Sequence, residues 1–332
     1  MHPLVTLDEI KSARERIKST AVYTPMLHVV WPGLKPLSPQ ALKHAVPLLL
    51  KCENLQPMGA FKIRGAFNMI AQLPKENLER GVITYSSGNH GQAVAMAAQQ
   101  LGAPAVIVMP TTAPLVKIDG CKSYGAEVIM AGTTSLDRQS RAEQEASARG
   151  LTIVPPFDHP QIIIGQGTMG LEILEQCPDV ATVIVPVGGG GMASGVAAAI
   201  KLSKPSVRIV AVEPAGAPKM SKSLEAGHPI TLPWSKSIAD GLMNLRPGDI
   251  TFAHIQQFVD EVVMVGEDDI ASTVAWLFRN ARLVVEPSGA VTTAAMALGL
   301  GNVDVSKGPV VAVVSGGNVS PESFAKYVSI GV

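Results

Sequence analysis

One lysine occupies an unusual place in the sequence. Lys62 follows a turn at residues 57–60 and begins an apolar helical pattern in the segment KCENLQPMGAFKIRGAFNMI. A lone lysine at a helix start is usually a surface side chain, and its charge opposes the helix dipole. Burial and the same dipole would instead favour a neutral amine, which can condense with an aldehyde. The position therefore allows either a surface lysine or one that binds a carbonyl compound.

A second turn with reactive side chains, YSSGNHGQ, spans residues 85–92 and leads from an apolar run into a helical pattern. Backbone N–H groups at such a helix start can receive a carboxylate. Asn89 could hydrogen-bond a phenolate oxygen, and Ser87 could donate and accept a proton. His90 could act as an acid or base, although a histidine there more often makes a structural hydrogen bond.

Four consecutive glycines, Gly188–Gly191, join the apolar run TVIVPV to the helical pattern MASGVAAAIKL. Such a loop lets an anion approach the backbone at a helix start, which favours a phosphate over a simple tight turn. The run also matches GxGxxA through Ala193, and Glu213 ends the next apolar run, so an NAD-dependent oxidoreductase is an alternative. The P-loop pattern GxxxxGK[ST] does not occur in the sequence.

Short runs rich in valine and isoleucine alternate with longer helical patterns. This alternation predicts an α/β fold with mostly parallel, twisted sheets flanked by helices. The predicted strands, each expected to be buried on both faces, are residues 82–86, 105–110, 126–132, 182–187, 208–213 and 309–315. The predicted helices include residues 90–101, 134–149, 191–203 and 268–280.

The chain has 332 residues, which exceeds the usual size of one compact domain and predicts two. The alternating strands and helices between residues 71 and 156 are predicted to form a small domain, which ends at a pair of prolines. Residues 1–70 and 157–332 would form the large domain. The proline-rich segment 31–47 is expected to be a surface loop.

The composition makes several classes of protein and partner implausible. Basic and acidic residues both number 27, so nothing in the net charge favours a nucleic acid or a membrane surface as partner, and a small molecule is expected. The three cysteines show neither metal-ligand nor disulfide spacing, which favours a reducing compartment. We find no signal sequence and no long apolar span, and therefore expect a cytoplasmic protein.

Six motifs occur in a fixed order: ENLQPMGAFKIRGA, SSGNHGQAVA, GQGTMGLEI, VGGGGMASG, SIADG and VVSGGNVS. Together they closely resemble the serine/threonine dehydratase and serine racemase family, which are fold type II pyridoxal 5'-phosphate (PLP) enzymes of the tryptophan synthase β superfamily. The resemblance implies a PLP-dependent ammonia-lyase that converts a β-hydroxy amino acid, such as L-threonine or L-serine, to a 2-oxo acid and ammonia. It also implies a homodimer.

The resemblance assigns roles to residues of these motifs. Lys62 would carry PLP as a Schiff base, with Phe61 near the ring, and would remove the Cα proton of the substrate. PLP would also contact Asn89 through its ring hydroxyl, Ser315 through its pyridine nitrogen, and, through its phosphate, Gly188, Gly189, Gly190, Gly191 and Met192. The substrate carboxylate would be held by Ser86, Ser87, Gly88, Asn89 and His90. Ser87 also matches the second acid-base residue of racemases.

Three carboxylates keep alternative roles. Glu286 would lie near the cofactor ring, or else cap a helix or serve as a buried structural carboxylate, and Asp158 has the same alternatives. In metal-binding members, the glutamate that matches Glu213 is followed six positions later by an acidic residue. Here that position is Lys219, whose ammonium could take the place of a metal. We therefore expect no divalent metal, and Glu213 keeps only a monovalent-cation alternative.

The sequence also departs from the family in ways that affect function. Leu242-Met243-Asn244 replaces small apolar residues after SIADG, and Tyr85 precedes the serine pair, which could favour a larger or acidic substrate such as phenylserine or hydroxyaspartate. The chain stops soon after VVSGGNVS, so no C-terminal regulatory domain is expected. Serine racemisation on the same scaffold remains an alternative, as does a catalytically silent ligand-binding protein.

Overall fold

Two sheets organise the chain in the computed structural model, which describes residues 3–29, 48–86, 88–113 and 115–330. The predicted loop at residues 31–47 lies outside these ranges. The strands are β1 (Met26–Val29), β2 (Leu48–Cys52), β3 (Val82–Tyr85), β4 (Ala105–Met109), β5 (Glu127–Met130), β6 (Thr152–Ile153), β7 (Thr182–Pro186), β8 (Arg208–Pro214), β9 (Glu261–Val265) and β10 (Val310–Val314).

Helices separate most of these strands. They are α1 (Leu7–Ile17), α2 (Ile63–Ile70), α3 (Lys75–Arg80), α4 (Asn89–Leu101), α5 (Leu115–Ser123), α6 (Ser135–Arg149), α7 (Pro160–Gln176), α8 (Gly191–Ser203), α9 (Lys219–Ala226), α10 (Asp249–Phe258), α11 (Glu267–Trp276), α12 (Pro287–Ala297) and α13 (Pro321–Val328). No helix in the described part of the chain is long and apolar enough to cross a membrane.

The two sheets are mostly parallel, as predicted. The large sheet has the order β1-β2-β10-β7-β8-β9, and the small sheet has the order β5-β4-β3-β6. The β1 and β2 pair is antiparallel, and the other neighbouring pairs are parallel. Parallel strands place their carboxyl ends at the same edge of a sheet, where α/β proteins bind their ligands.

Hydrophobic side chains on both faces of the large sheet explain its continuous apolar runs. In β10, Val311 and Val313 belong to a core that includes residues of α1, α7 and α8. The alternate residues Val310, Ala312 and Val314 belong to the core on the opposite face, which includes residues of α11 and α12. This alternation buries successive side chains of one strand under different helices.

The small sheet corrects one prediction. Its central strands β3 and β4 are buried, with Ile107 packed on one core and Val106 on the other. The prediction that residues 126–132 form a strand buried on both faces is wrong, because Glu127 and Met130 of β5 are exposed. The physical reason is position, since β5 is an edge strand with a neighbour on one side only.

The predicted elements otherwise agree with the structure. The helix predicted at residues 191–203 has the bounds of α8, and the one predicted at 134–149 differs from α6 by one residue. Strands β1, β2, β6 and β9 were not predicted. The strands between residues 71 and 156 do form one separate sheet, whereas the domain boundaries themselves stay a prediction.

A buried ionic network fixes α2. The guanidinium of Arg64 donates to both carboxylate oxygens of Glu53 and to both of Glu172, at distances of 2.7 to 2.9 Å. The ammonium of Lys51 also contacts Glu172. Two cations and two anions are thus buried together, and each carboxylate depends on partners from distant parts of the chain.

Replacing Arg64 by methionine is expected to destabilise the fold by about 3 to 5 kcal/mol, because the carboxylates of Glu53 and Glu172 would stay buried with one partner fewer. Arg141→Met is the matched control, since Arg141 is exposed and its pair with Glu145 within α6 should contribute less than about 1 kcal/mol. Urea unfolding measures both variants. Equal stabilities would show that this network does not hold α2.

Candidate active site

Lys62 is the N-cap residue that immediately precedes α2, and it is not a surface lysine. Its side chain is half-buried, and Nζ donates to the carbonyl oxygen of Pro156 at 2.6 Å. The amine also lies 5.2 Å from the centre of the Phe61 ring. Burial lowers the pKa of Lys62 from 10.5 to about 8. A substantial neutral fraction near pH 8 makes this amine a nucleophile.

The four-glycine loop connects β7 to α8. Gly190 is the N-cap residue of α8 and has a φ of +106°, a conformation that strongly favours glycine. A Cβ atom at Gly189 would lie 2.4 Å from the ring of Phe157. The segment that accepts the Lys62 hydrogen bond therefore also packs against the glycine loop. The free backbone N–H groups at the start of α8 make this loop suitable for a phosphate.

Two other residues assigned to cofactor binding differ in their placement. The side chain of Met192 belongs to the core of the large sheet, so only its backbone can face a ligand at the loop. Ser315 follows β10 and is buried, with Oγ 3.4 Å from the carbonyl oxygen of Ser288. The Ser315 carbonyl accepts a hydrogen bond from the N–H of Phe61 at 3.1 Å. This bond holds Ser315 against Phe61, which is the residue that precedes Lys62 in the chain.

Asn89 and Glu286 meet between the two sheets. Asn89 Nδ2 donates to Glu286 Oε1 at 2.7 Å, and Asn318 Nδ2 donates to Asn89 Oδ1 at 2.8 Å. Burial is the main cause that raises the pKa of Glu286 to about 8, and the Asp240 carboxylate raises it further. Glu286 precedes α12, but its side chain makes no capping bond there. The capping role considered for Glu286 is therefore wrong, and its carboxyl group keeps its proton to a higher pH than an ordinary glutamate does.

The turn before α4 is held by local and long-range bonds. Ser86 Oγ accepts a hydrogen bond from the N–H of Gly88 at 3.2 Å, and Ser87 lies outside the described residues. His90 is buried, and its Nε2 lies 3.0 Å from the carbonyl oxygen of Val154, so Nε2 carries the proton. Burial, followed by the charge of Lys62, lowers the pKa of His90 to about 3. His90 is therefore a neutral hydrogen-bond donor to the backbone.

The other two carboxylates with open roles have structural partners. Asp158 accepts hydrogen bonds from the N–H groups of Ile250 and Thr251 at 3.0 and 3.1 Å, and so caps the start of α10. Glu213 lies 3.3 Å from the ammonium of Lys219 and accepts two N–H groups at the start of α9. Within the described ranges, no three His, Cys, Asp or Glu residues are grouped so that they could hold a metal ion.

Several residues at the site were missed by the sequence analysis. Lys117 of α5 forms an ion pair with Asp240, and a Cβ atom at Gly88 would lie 3.3 Å from its ammonium. Asn318 belongs to a motif that was recognised, VVSGGNVS, but its bond to Asn89 depends on tertiary contact. Phe157 gave no signal in the sequence. The structure thus brings Lys62, the glycine loop, Asn89, Glu286 and Ser315 into one connected set.

Comparisons with known proteins agree with this arrangement. Residues 26–316 match the family described as pyridoxal-phosphate dependent enzyme. An L-threonine ammonia-lyase from Geobacter sulfurreducens is 44% identical, covering 87% of this chain and 72% of that protein. An L-threonine ammonia-lyase from Thermotoga maritima is 40% identical, and the match covers 99% of this chain and 79% of that protein. The solved structure of maize serine racemase is 37% identical, covers 98% of both chains and has a TM-score of 0.88.

We expect Lys62 to react with formaldehyde at lower pH than an exposed lysine, because the neutral amine is the attacking form. Reductive methylation of the cofactor-free protein, followed by peptide mass spectrometry from about pH 6 to about pH 10, should give Lys62 a midpoint near pH 8. Lys75, whose side chain is exposed, is the internal control. Identical pH profiles for the two lysines would contradict a desolvated amine at Lys62.

Glu286 predicts a second pH effect. The pKa of Glu286 in the folded protein, about 8, lies above its ordinary value of 4.5. Between these two pH values the folded protein keeps a proton that the unfolded chain has lost. The wild type therefore loses stability as the pH rises from about 4.5 to about 8. Glu286→Gln cannot lose a proton. The melting temperature of the Glu286→Gln variant should therefore rise relative to that of the wild type as the pH increases from about 4.5 to about 8. The exposed Glu225→Gln is the control, and a pH-independent difference for Glu286→Gln would disprove the raised pKa.

Proposed function

This chain belongs to the pyridoxal-phosphate dependent enzyme family, and we propose that it is an ammonia-lyase that converts L-threonine to 2-oxobutyrate and ammonia. Its cofactor is PLP, and L-serine is the next candidate substrate. One observation carries the proposal, namely the desolvated amine of Lys62, which is held against Pro156 beside the glycine loop. The similarity to two threonine ammonia-lyases over most of the chain supports the choice of reaction and substrate.

The residues present fit this cofactor. A phosphate requires backbone N–H groups without side-chain obstruction, which the glycines before α8 provide. An aldehyde requires a neutral amine, which burial provides at Lys62. The amide of Asn89 and the hydroxyl of Ser315 supply neutral hydrogen-bonding groups for the ring substituent and the ring nitrogen.

When bound, PLP supplies an aldehyde carbon with which amines condense and a ring that withdraws electrons from the substrate Cα. Lys62 Nζ then removes the Cα proton and donates a proton to the departing β-hydroxyl, which leaves as water. The free enamine product takes up water and yields 2-oxobutyrate and ammonia. Ser315 would present a neutral hydroxyl to the ring nitrogen, which would weaken electron withdrawal and suit elimination better than long-lived carbanion chemistry.

The substrate carboxylate is proposed to bind the turn at Ser86–Asn89, where N–H groups open α4. The unusual residues after SIADG lie beside the glycine loop, since a Cβ atom at Gly188 would lie 2.8 Å from Asn244 Oδ1. These residues would therefore lie beside a phosphate held by the glycine loop. The choice of threonine over the larger substrates hydroxyaspartate and phenylserine rests on the similarity to the threonine ammonia-lyases.

Serine racemisation is the second candidate. It is favoured by the match with maize serine racemase, which extends over nearly the whole of both chains. The reaction requires a second acid-base group on the other side of the substrate Cα, and Ser87 is the proposed residue. Racemisation releases no ammonia, so the two activities are separable by product.

The cellular compartment and the oligomeric state are also proposed, from the cysteines and from the family resemblance. Cys52, Cys121 and Cys177 are all buried free thiols, which supports a reducing compartment such as the cytoplasm. A homodimer is proposed from the family resemblance, and sedimentation equilibrium of the purified protein tests it.

The purified, PLP-saturated protein should release ammonia and 2-oxobutyrate in equal amounts from L-threonine, and much more slowly from hydroxyaspartate and phenylserine. Lys62→Ala should lose at least about a thousandfold in activity, because both covalent attachment and the proton transfer depend on Nζ. Lys75→Ala, at an exposed lysine, is the matched control. Formation of D-serine from L-serine without ammonia would replace the lyase proposal by racemisation.

A further inference from the structure

Lys219 places a buried ammonium in a cage of oxygen atoms. Nζ donates to the carbonyl oxygens of Val187 at 3.0 Å, Leu242 at 3.0 Å and Ala217 at 3.2 Å. An ammonium has three N–H donors, so each one has a carbonyl acceptor. The Glu213 carboxylate lies 3.3 Å away and balances the charge, and both side chains of this ion pair are completely buried.

The cage requires a cation. Carbonyl oxygens only accept hydrogen bonds, so a neutral amine, with two N–H groups and a lone pair, would leave one oxygen facing the lone pair. Burial lowers the pKa of Lys219, and the neighbouring Glu213 carboxylate counteracts this effect. Several carbonyl oxygens with one carboxylate also form the kind of ligand set that holds a metal ion with little hydration. The ammonium therefore occupies a place that is chemically suited to a monovalent ion.

This cage joins parts of the candidate active site that are distant in sequence. Val187 immediately precedes the glycine loop, and Leu242 ends the short turn at Asp240–Leu242. In that turn, the N–H of Gly241 donates to Ser288 Oγ at 2.9 Å, and the carbonyl of Ser288 faces Ser315. Lys219 thus ties the proposed phosphate site to the residues at the proposed ring nitrogen.

We propose that Lys219 is a positioning residue whose tethered ammonium takes the place of a monovalent cation and fixes the glycine loop against the turn at Asp240–Leu242. The chain supplies this cation itself, so the wild type is independent of added monovalent ions. Shortening the side chain to alanine opens a site that potassium or ammonium ions can enter. The stability and the cofactor affinity of that variant then depend on those ions.

Lys219→Ala is tested in choline chloride and in potassium chloride at equal ionic strength, because choline is too large for the cage. Two quantities are measured, the melting temperature of the cofactor-free protein and the dissociation constant of PLP. Potassium should raise the melting temperature of the cofactor-free variant. It should also lower the dissociation constant of PLP about tenfold, as expected for an ion present at about ten times its own dissociation constant. The wild type should give equal values in both salts. Neither readout depends on the substrate, so a failed threonine assay would leave this test unaffected.

Two further variants make the result specific. Lys219→Met fills the space without a charge, so it should be weakened in both salts and gain nothing from potassium. Lys222→Ala removes an exposed lysine of the same helix and should behave as the wild type. The proposal is overturned if Lys219→Ala is insensitive to the salt, if choline restores it as well as potassium, or if it stays unfolded in potassium chloride. A wild type that itself needs potassium for stability or PLP binding would overturn it as well.

Discussion

The contact between the Arg64 guanidinium and two buried carboxylates is the constraint on which the site depends. Arg64 lies two residues after Lys62, and its partners come from the segment after β2 and from α7. Burying these charges is favourable only while all of them remain paired, because an unpaired buried charge costs several kcal/mol. The helix that carries Lys62 can therefore occupy one position relative to the large sheet.

Three lysines that are removed from solvent, Lys62 in part and Lys51 and Lys219 completely, illustrate how burial produces different chemistry. Lys51, Lys62 and Lys219 all have a pKa lowered by burial. Carboxylates counteract this effect at Lys51 and Lys219, whereas Lys62 has a backbone carbonyl as its hydrogen-bond partner. Two of these lysines serve as fixed charges in the structure. The third, Lys62, is the amine most suited to covalent chemistry, because no carboxylate in the described ranges forms an ion pair with it.

The sequence predicted those features that are encoded locally. The turn before Lys62, the four glycines before α8 and the apolar runs of β7 and β10 lie within short segments, so spacing and residue type identify them. Phe157 against Gly189, Asn318 against Asn89 and the partners of Arg64 could not be predicted, because residues distant in sequence meet only after folding. The exposure of β5 was missed for a related reason, since strand order within a sheet is not visible in a single strand.

The site is divided between two sheets, and the division has a physical consequence. The loops after β7 and β10 belong to the large sheet, together with the oxygen cage around Lys219. The turn with Asn89 and the helix with Lys117 belong to the small sheet, and they contact the large one through the Asn89 bond to Glu286 and the Lys117 pair with Asp240. A shift between the sheets would change both contacts at once, whereas the glycine loop would keep its geometry. The proposed phosphate site is therefore fixed by one sheet, and the proposed substrate site depends on how the two sheets meet.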